Sequence, residues 1–249
     1  MHLTIPNNQN ERLDVLIEGN IQCDSLVLFV HGFGTDKHET GGLFDDIALS
    51  LGREHMTVRF DFSGYGKSEG KQEESTYRKQ ADDLHSIIAY AREYKKRLSI
   101  LAFSMGCFST CLLSPEGIDK TMLVSIPGSD IKNVKTRLIN KIRSLPEGMV
   151  DESGISLYPR SGGGITRIGP NFWKELDNFR PVESVSEYSK KTRLGIIHPL
   201  QDVIVGEKGM SNYTHITTLE YMNLSGDHAF TNPSDREILV ERITLFFHN

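Results

Sequence analysis

Ten residues near the middle of the chain constrain its fold more than any others: Ser99-Ile100-Leu101-Ala102-Phe103-Ser104-Met105-Gly106-Cys107-Phe108. The short apolar run reads as a buried strand, and it ends on Ser104, a serine held among small residues. Gly106, two places on, lets the chain reverse tightly into a helix-compatible run over 105–113. A strand, turn and helix of this kind lift one hydroxyl beyond the carboxyl edge of a sheet and aim backbone N–H groups at whatever that hydroxyl attacks. Small-x-Ser-x-Gly also describes an ordinary strand-to-helix turn, so the rest of the chain has to decide.

The surrounding sequence repeats the alternation. Residues 3–5 and 13–17 predict an edge hairpin. Ser25–Val30 is a continuous apolar run of the sort buried on both faces of a parallel sheet. A helix follows over 43–51 with Gly52 at its stop, then a strand at 57–60. A long amphipathic helix over 77–94 presents Tyr77, Ala81, Leu84, Ile88 and Ala91 on one face. Further strands are predicted at 99–103, 121–126, 194–198 and 217–222. A closing helix has Pro233 in its first turn and Ile238, Leu239, Ile243 and Phe246 on its buried face. Strands alternating with helices of ten or more residues predict an α/β fold, a mostly parallel doubly wound sheet with helices on both faces.

Residues 127–189 break that rhythm. They hold a basic helix-compatible run (132–142), a plausible hairpin turning at Ser161-Gly162-Gly163 and a short helix near 171–176. About sixty residues with elements of their own exceed what a loop needs. The expected division is therefore a core of 1–126 and 190–249, with 127–189 inserted as a lid over one end of the sheet.

A chain of 249 residues is long enough for such a core. A formal net charge of −5 gives no reason to expect nucleic acid or an anionic membrane surface as partner. No apolar run approaches the roughly 18–20 residues of a bilayer span, and the N-terminus lacks a basic and an apolar region of a secretory leader. Cys23, Cys107 and Cys111 fall in no metal or redox spacing, which fits free thiols in a reducing cytoplasm. His38, His55, His198 and His215 have no metal-ligand spacing either, so neither metal nor cofactor is expected. Oligomeric state is left open.

In a parallel α/β sheet, ligands sit beyond the carboxyl ends of the strands. His31-Gly32-Phe33-Gly34 follows one strand, Ser104 the next of interest, Asp202 follows 194–198, and Gly226-Asp227-His228 follows 217–222. A nucleophile, a carboxylate and an imidazole thus reach one edge in the order Ser, Asp, His. Asp130, after the strand at 121–126, is an alternative source of the acid. Asp227 is expected to form the turn before the histidine, and His31 to hold its own loop. Lys67-Ser68 after two glycines is not a phosphate loop, because Asp61 stands where that motif requires glycine.

These motifs, with Asp61-Phe62-Ser63-Gly64-Tyr65-Gly66-Lys67-Ser68, resemble the α/β-hydrolase superfamily over nearly the whole chain. Ala102 replaces the commoner glycine of the nucleophile elbow. The resemblance implies Ser104 as nucleophile, His228 as general base and then acid, Asp202 as the orienting carboxylate, and the N–H groups of Phe33 and Met105 as an oxyanion hole. The inserted segment is similar to the lid of bacterial feruloyl and cinnamoyl esterases, notably at Asp151-Glu152-Ser153-Gly154 and over 165–183. There Trp173, Phe172 and Tyr158 are candidates for an aromatic or acyl pocket, or for the segment's own core. The expected reaction is hydrolysis of a small acyl or aryl ester through an acyl-enzyme. Thioester or amide cleavage, acyl transfer and a non-catalytic small-molecule receptor are the alternatives.

Overall fold

The computed structural model describes residues 1–160, 162–205 and 210–248. Among them an eight-stranded sheet runs in the order β1-β2-β4-β3-β5-β6-β9-β10. Its strands are β1 (His2–Pro6), β2 (Arg12–Gly19), β3 (Ser25–Val30), β4 (Met56–Phe60), β5 (Arg97–Phe103), β6 (Lys120–Val124), β9 (Arg193–Pro199) and β10 (Leu219–Leu224). β1 and β2 form the antiparallel edge, and β2 pairs antiparallel with β4. From β4 onward every pairing is parallel.

The central strands are apolar on both faces because both are covered. Leu26, Leu28 and Val30 of β3, with Ile100 and Ala102 of β5, pack into one core with α2 (Tyr77–Arg92) and α3 (Met105–Leu113). The alternate residues Val27, Phe29, Leu101 and Phe103 pack into a second core with α1 (Leu43–Leu51) and the C-terminal helix α7 (Pro233–His248). The two-residue period of a strand thus divides one continuous apolar run between two cores.

From β3 the chain steps to β4 on one side, then crosses to β5 on the other. Loops leaving β3 and β5 therefore diverge, opening the crevice in which such sheets bind ligands. Between β6 and β9 lie α4 (Ile131–Arg143), a small antiparallel hairpin of β7 (Ser156–Pro159) and β8 (Ile165–Ile168), α5 (Pro170–Asn178) and α6 (Pro181–Tyr188).

Several expectations need correction: the strand expected at 121–126 ends at Val124, and the helix expected over 77–94 ends at Arg92. β10 starts and ends two residues later than 217–222. α6 has no counterpart among the expected elements; it packs on α3, and its Tyr188 hydroxyl lies 2.8 Å from Thr121 Oγ1. On α7, Ile238 is 41% exposed, and Leu239, Ile243, Phe246 and Phe247 form the buried face, a helical i, i+4, i+7, i+8 set on whose flank Ile238 falls. Ser161 of the expected turn lies outside the described residues.

Candidate active site

β5 delivers the serine. The Ser104 N–H donates to Val124 O on β6 at 2.9 Å, and Ser104 O accepts from the Cys107 N–H at 3.0 Å, so the backbone is pinned on both sides of the hydroxyl. Its φ of 50° lies in the left-handed region, which costs a non-glycine residue roughly 1–3 kcal/mol. A Cβ on Gly106 would stand 2.4 Å from His31 O and 2.8 Å from Val30 O. Only glycine lets α3 approach β3 that closely.

His228 follows β10 with its Nε2 2.9 Å from Ser104 Oγ and its Nδ1 2.7 Å from Asp202 Oδ2. A carboxylate only accepts, so Nδ1 carries the proton and Nε2 is left to accept from the serine hydroxyl. The imidazole's own backbone is held as well, since Ser125 Oγ donates to His228 O at 2.9 Å. Asp227 accepts from the N–H groups of Ala229 and Thr231, forming the turn that presents the histidine. Asp202, beyond β9, has its side chain closed off from solvent. Its Oδ1 accepts from the N–H groups of Ile204 (2.8 Å) and Val205 (3.0 Å). Burial pushes this carboxyl up, but the hydrogen bond and charge of His228 and the two N–H groups outweigh it and hold the pKa below the usual carboxylate value.

Asp130 sits elsewhere: it is the N-cap of α4, accepting from the Asn133 N–H at 3.2 Å. Gln201, which carries no sequence signal, bridges the Asp202 and His228 loops. Its Oε1 accepts from the Gly226 N–H at 2.5 Å, and its own N–H donates to Gly226 O.

The loop after β3 is framed from below. Buried His31 accepts from the Phe62 N–H through Nε2 (3.0 Å) and donates through Nδ1 to Gly32 O (2.8 Å). Both ring nitrogens are thus occupied in holding the loop. The Glu39 carboxylate accepts from the Gly32 N–H and, at 2.7 Å, from Thr35 Oγ1. Lys37 is buried with its ammonium 2.7 Å from Asp61 and 2.8 Å from Asp14. Asp61 also accepts from the backbone of Lys37 and Lys67. The Asp61–Ser68 stretch is therefore a brace for this loop.

Phe33 lies in that loop beside a close approach, because a Cβ on Gly32 would stand 3.1 Å from Ser104 Cβ. Met105 opens α3, so its N–H is among those an α-helix leaves without an intrahelical acceptor. Phe172 stacks on the Phe33 ring at 5.1 Å and Tyr158 at 6.4 Å. Phe172 and Trp173 are only 2% and 1% exposed, and the Trp173 indole N–H donates to Ser156 Oγ within the stretch between β6 and β9. Tyr158 is half-buried.

The sequence profile of the serine aminopeptidase S33 family, Hydrolase_4, matches residues 22–154, just over half of the chain. The chain belongs to this family. Its fold is that of the α/β-hydrolase esterases. It superimposes at TM-score 0.78 and 18% identity on Est1E from Butyrivibrio proteoclasticus bound to ferulic acid, over 99% of this chain and 98% of that one. It matches the mouse alpha/beta hydrolase domain-containing protein 10 at TM-score 0.73 and 18% identity, over 100% and 98%. In sequence it is 28% identical to a mitochondrial palmitoyl-protein thioesterase, ABHD10, of Pongo abelii over 188 residues. The human counterpart is 27% identical over the same length. These matches cover 72% of this chain and 57% of the relatives. The relatives are mitochondrial by name and lend no support to the cytoplasmic location expected from the thiols. Among the described residues no helix is long and apolar enough to cross a membrane.

Proposed function

We propose that this family member hydrolyses carboxylic esters through an acyl-enzyme on Ser104. The observation that carries the reading is the continuous chain Ser104 Oγ to His228 Nε2 (2.9 Å) and His228 Nδ1 to Asp202 Oδ2 (2.7 Å). A serine hydroxyl is a poor nucleophile until a hydrogen-bonded imidazole takes its proton. Ser104 Oγ attacks the acyl carbonyl carbon as its proton passes to His228 Nε2, and the carbonyl oxygen becomes an oxyanion facing the N–H groups of Phe33 and Met105. Collapse breaks the bond to the leaving oxygen, which takes the proton from His228. Water then gives its proton to His228 and attacks the acyl-enzyme; Ser104 leaves and recovers its proton. Asp202 keeps the imidazole in the required tautomer and stabilises the imidazolium without taking the proton itself. Each oxyanion donor is typically worth about 2.7–4 kcal/mol.

The inserted segment, 127–189, serves in this reading as the lid, with Tyr158 and Phe172 bordering the acyl or aryl group beside Phe33. Thioester hydrolysis is the second reading, favoured by the name of the ABHD10 relatives. The same attack expels a thiolate in place of an alkoxide.

The test is labelling by a fluorophosphonate probe in wild type and Ser104→Ala, beside turnover of matched oxygen esters and thioesters. Labelling and turnover in the wild type, both lost in the variant, are expected. A folded wild type that takes no label overturns the mechanism, and the ratio of the two turnovers decides between the substrates.

A further inference from the structure

The segment between β6 and β9 reaches back to the proposed oxyanion loop through one charged side chain. The Arg160 guanidinium donates through Nη2 to Phe33 O at 2.6 Å. It lies 4.5 Å from the Tyr158 ring centroid and 6.0 Å from that of Phe33. A Cβ on Gly34 would meet Arg160 Cζ at 2.8 Å and Thr166 Oγ1 at 2.6 Å, so the hairpin and the loop are in full contact there. Arg160 belongs to the connection between β7 and β8, and Thr166 to β8 itself.

Phe33 sits between two peptide planes. In the first, Gly32 O accepts from His31 Nδ1 and lies 3.1 Å from Thr35 Oγ1. A trans peptide is planar with C=O and N–H opposed, so fixing Gly32 O fixes the opposite direction for the Phe33 N–H. Groups of the core hold this plane. The second plane carries Phe33 O, which accepts from Arg160 of the β7–β8 hairpin. Gly34, with φ of +71°, gives this plane a hinge that an ordinary residue would stiffen. The core therefore anchors one side of Phe33 and the hairpin the other.

We infer that Arg160 is a positioning residue for the ester hydrolysis proposed above: the hydrogen bonds on Gly32 O aim the Phe33 N–H, and Arg160, by holding Phe33 O, keeps the next peptide plane from swinging Phe33 off that aim, so that the donor depends on the seating of the β7–β8 hairpin as well as on the core. The inference rests on the oxyanion role of Phe33. A guanidinium suits the task because its planar fork donates in a fixed direction while its Cζ lies over the Tyr158 ring. A misplacement of about 1 Å at such a donor can cost on the order of 100-fold in rate.

The experiment compares wild type, Arg160→Met and Arg160→Lys on a neutral short-chain ester, with hydrogen–deuterium exchange followed over residues 31–39. Arg160→Met keeps an apolar stem against Tyr158 and removes the donors. Its kcat is expected to fall roughly 10- to 100-fold with KM within about twofold. Fluorophosphonate labelling should slow in parallel, and amide exchange around Phe33 should rise. Arg160→Lys, which restores one donor without the planar fork, should recover part of kcat. A raised KM at unchanged kcat would make Arg160 a substrate contact and overturn the inference. Unchanged exchange around Phe33 overturns it whatever the kinetics, as does a lowered melting temperature with full kcat in the folded fraction. The exchange measurement needs no turnover. A wild type inactive towards esters, whose Phe33 amide still loosens in Arg160→Met, therefore indicts the ester reading alone and leaves Arg160 as the holder of Phe33.

Discussion

Lys37 Nζ stands 2.7 Å from Asp61 Oδ2, inside the same loop system that presents Phe33, with ammonium and carboxylate both withdrawn from water. Asp14 completes the cluster at 2.8 Å. Burial lowers the lysine's pKa, but the hydrogen bonds and charges of Asp14 and Asp61 more than reverse this and hold it above its ordinary value. Removing one partner of such a buried pair leaves the other charge uncompensated, typically at a cost of about 3–5 kcal/mol. Lys37→Met should therefore show a large loss of stability in urea unfolding at neutral pH. Because the folded pKa is raised, the lysine's contribution is complete below its unfolded pKa near 10.5 and fades only as pH rises through the higher folded value. The gap between wild type and variant should accordingly be flat from pH 6 to 9.

Asp202→Asn and Asp130→Ala separate the two carboxylates that follow neighbouring strands. The first should leave His228 in place but free to adopt the wrong tautomer, with kcat falling on the order of 10⁴-fold. The second removes a helix cap and should cost about 1 kcal/mol of stability with kcat intact. Steady-state kinetics and thermal melts on the pair check both outcomes, and a large kcat loss in Asp130→Ala would reverse the assignment.

Asp202 also makes an acid-side prediction. Its folded pKa is depressed, so its contribution to stability is present above the unfolded carboxylate value near 3.9 and is lost as pH falls through the lower folded value. Urea midpoints of wild type and Asp202→Asn, measured from pH 7 down to pH 3, should converge at the acid end.

Two glycines give opposite forecasts. A methyl group at Gly106 meets backbone oxygens of β3 at 2.4 and 2.8 Å, and backbone does not yield cheaply. Gly106→Ala should lose about 1–3 kcal/mol and slow fluorophosphonate labelling of Ser104 two residues away. Gly162 has nothing within 4 Å of its would-be Cβ, so Gly162→Ala should stay within about 0.5 kcal/mol of wild type.

The thiols should divide one against two. Cys107 and Cys111 are buried, and burial pushes both far above the ordinary thiol value, whereas Cys23 is partly exposed. A thiolate-specific reagent should modify Cys23 in the native protein and reach the other two only on unfolding.

The strands and the serine, aspartate and histidine at their ends were legible in the sequence because each strand is a local apolar run and each of those residues is the polar group that follows one. Ser25–Val30 is the clearest case, a run whose bounds and burial on both faces emerge together. What stayed hidden has no local signature. Arg160 meets Phe33 across 127 residues of chain, and Lys37, Glu39 and Gln201 are ordinary loop polars until the fold supplies their partners. The helix Pro181–Tyr188 was missed for a related reason. Its residues Val185 and Tyr188 are too few to show a period, and its burial comes from packing on α3.

The chain leaves β6 and returns in β9, and these strands are direct neighbours, paired from Lys120 with Arg193 to Val124 with Ile197. Residues 127–189 between them can be exchanged without moving a pairing of the sheet and with Ser125 left to hold His228 O, so this junction is where a foreign segment could be grafted to ask whether a chimera changes selectivity. The graft would not be neutral, however: a replacement without a guanidinium at the place of Arg160 keeps Ser104, His228 and Asp202 and loses the Arg160 hydrogen bond to Phe33 O. On the role proposed for Arg160, recombination at this junction is expected to lower turnover unless the donor segment brings its own anchor for that carbonyl.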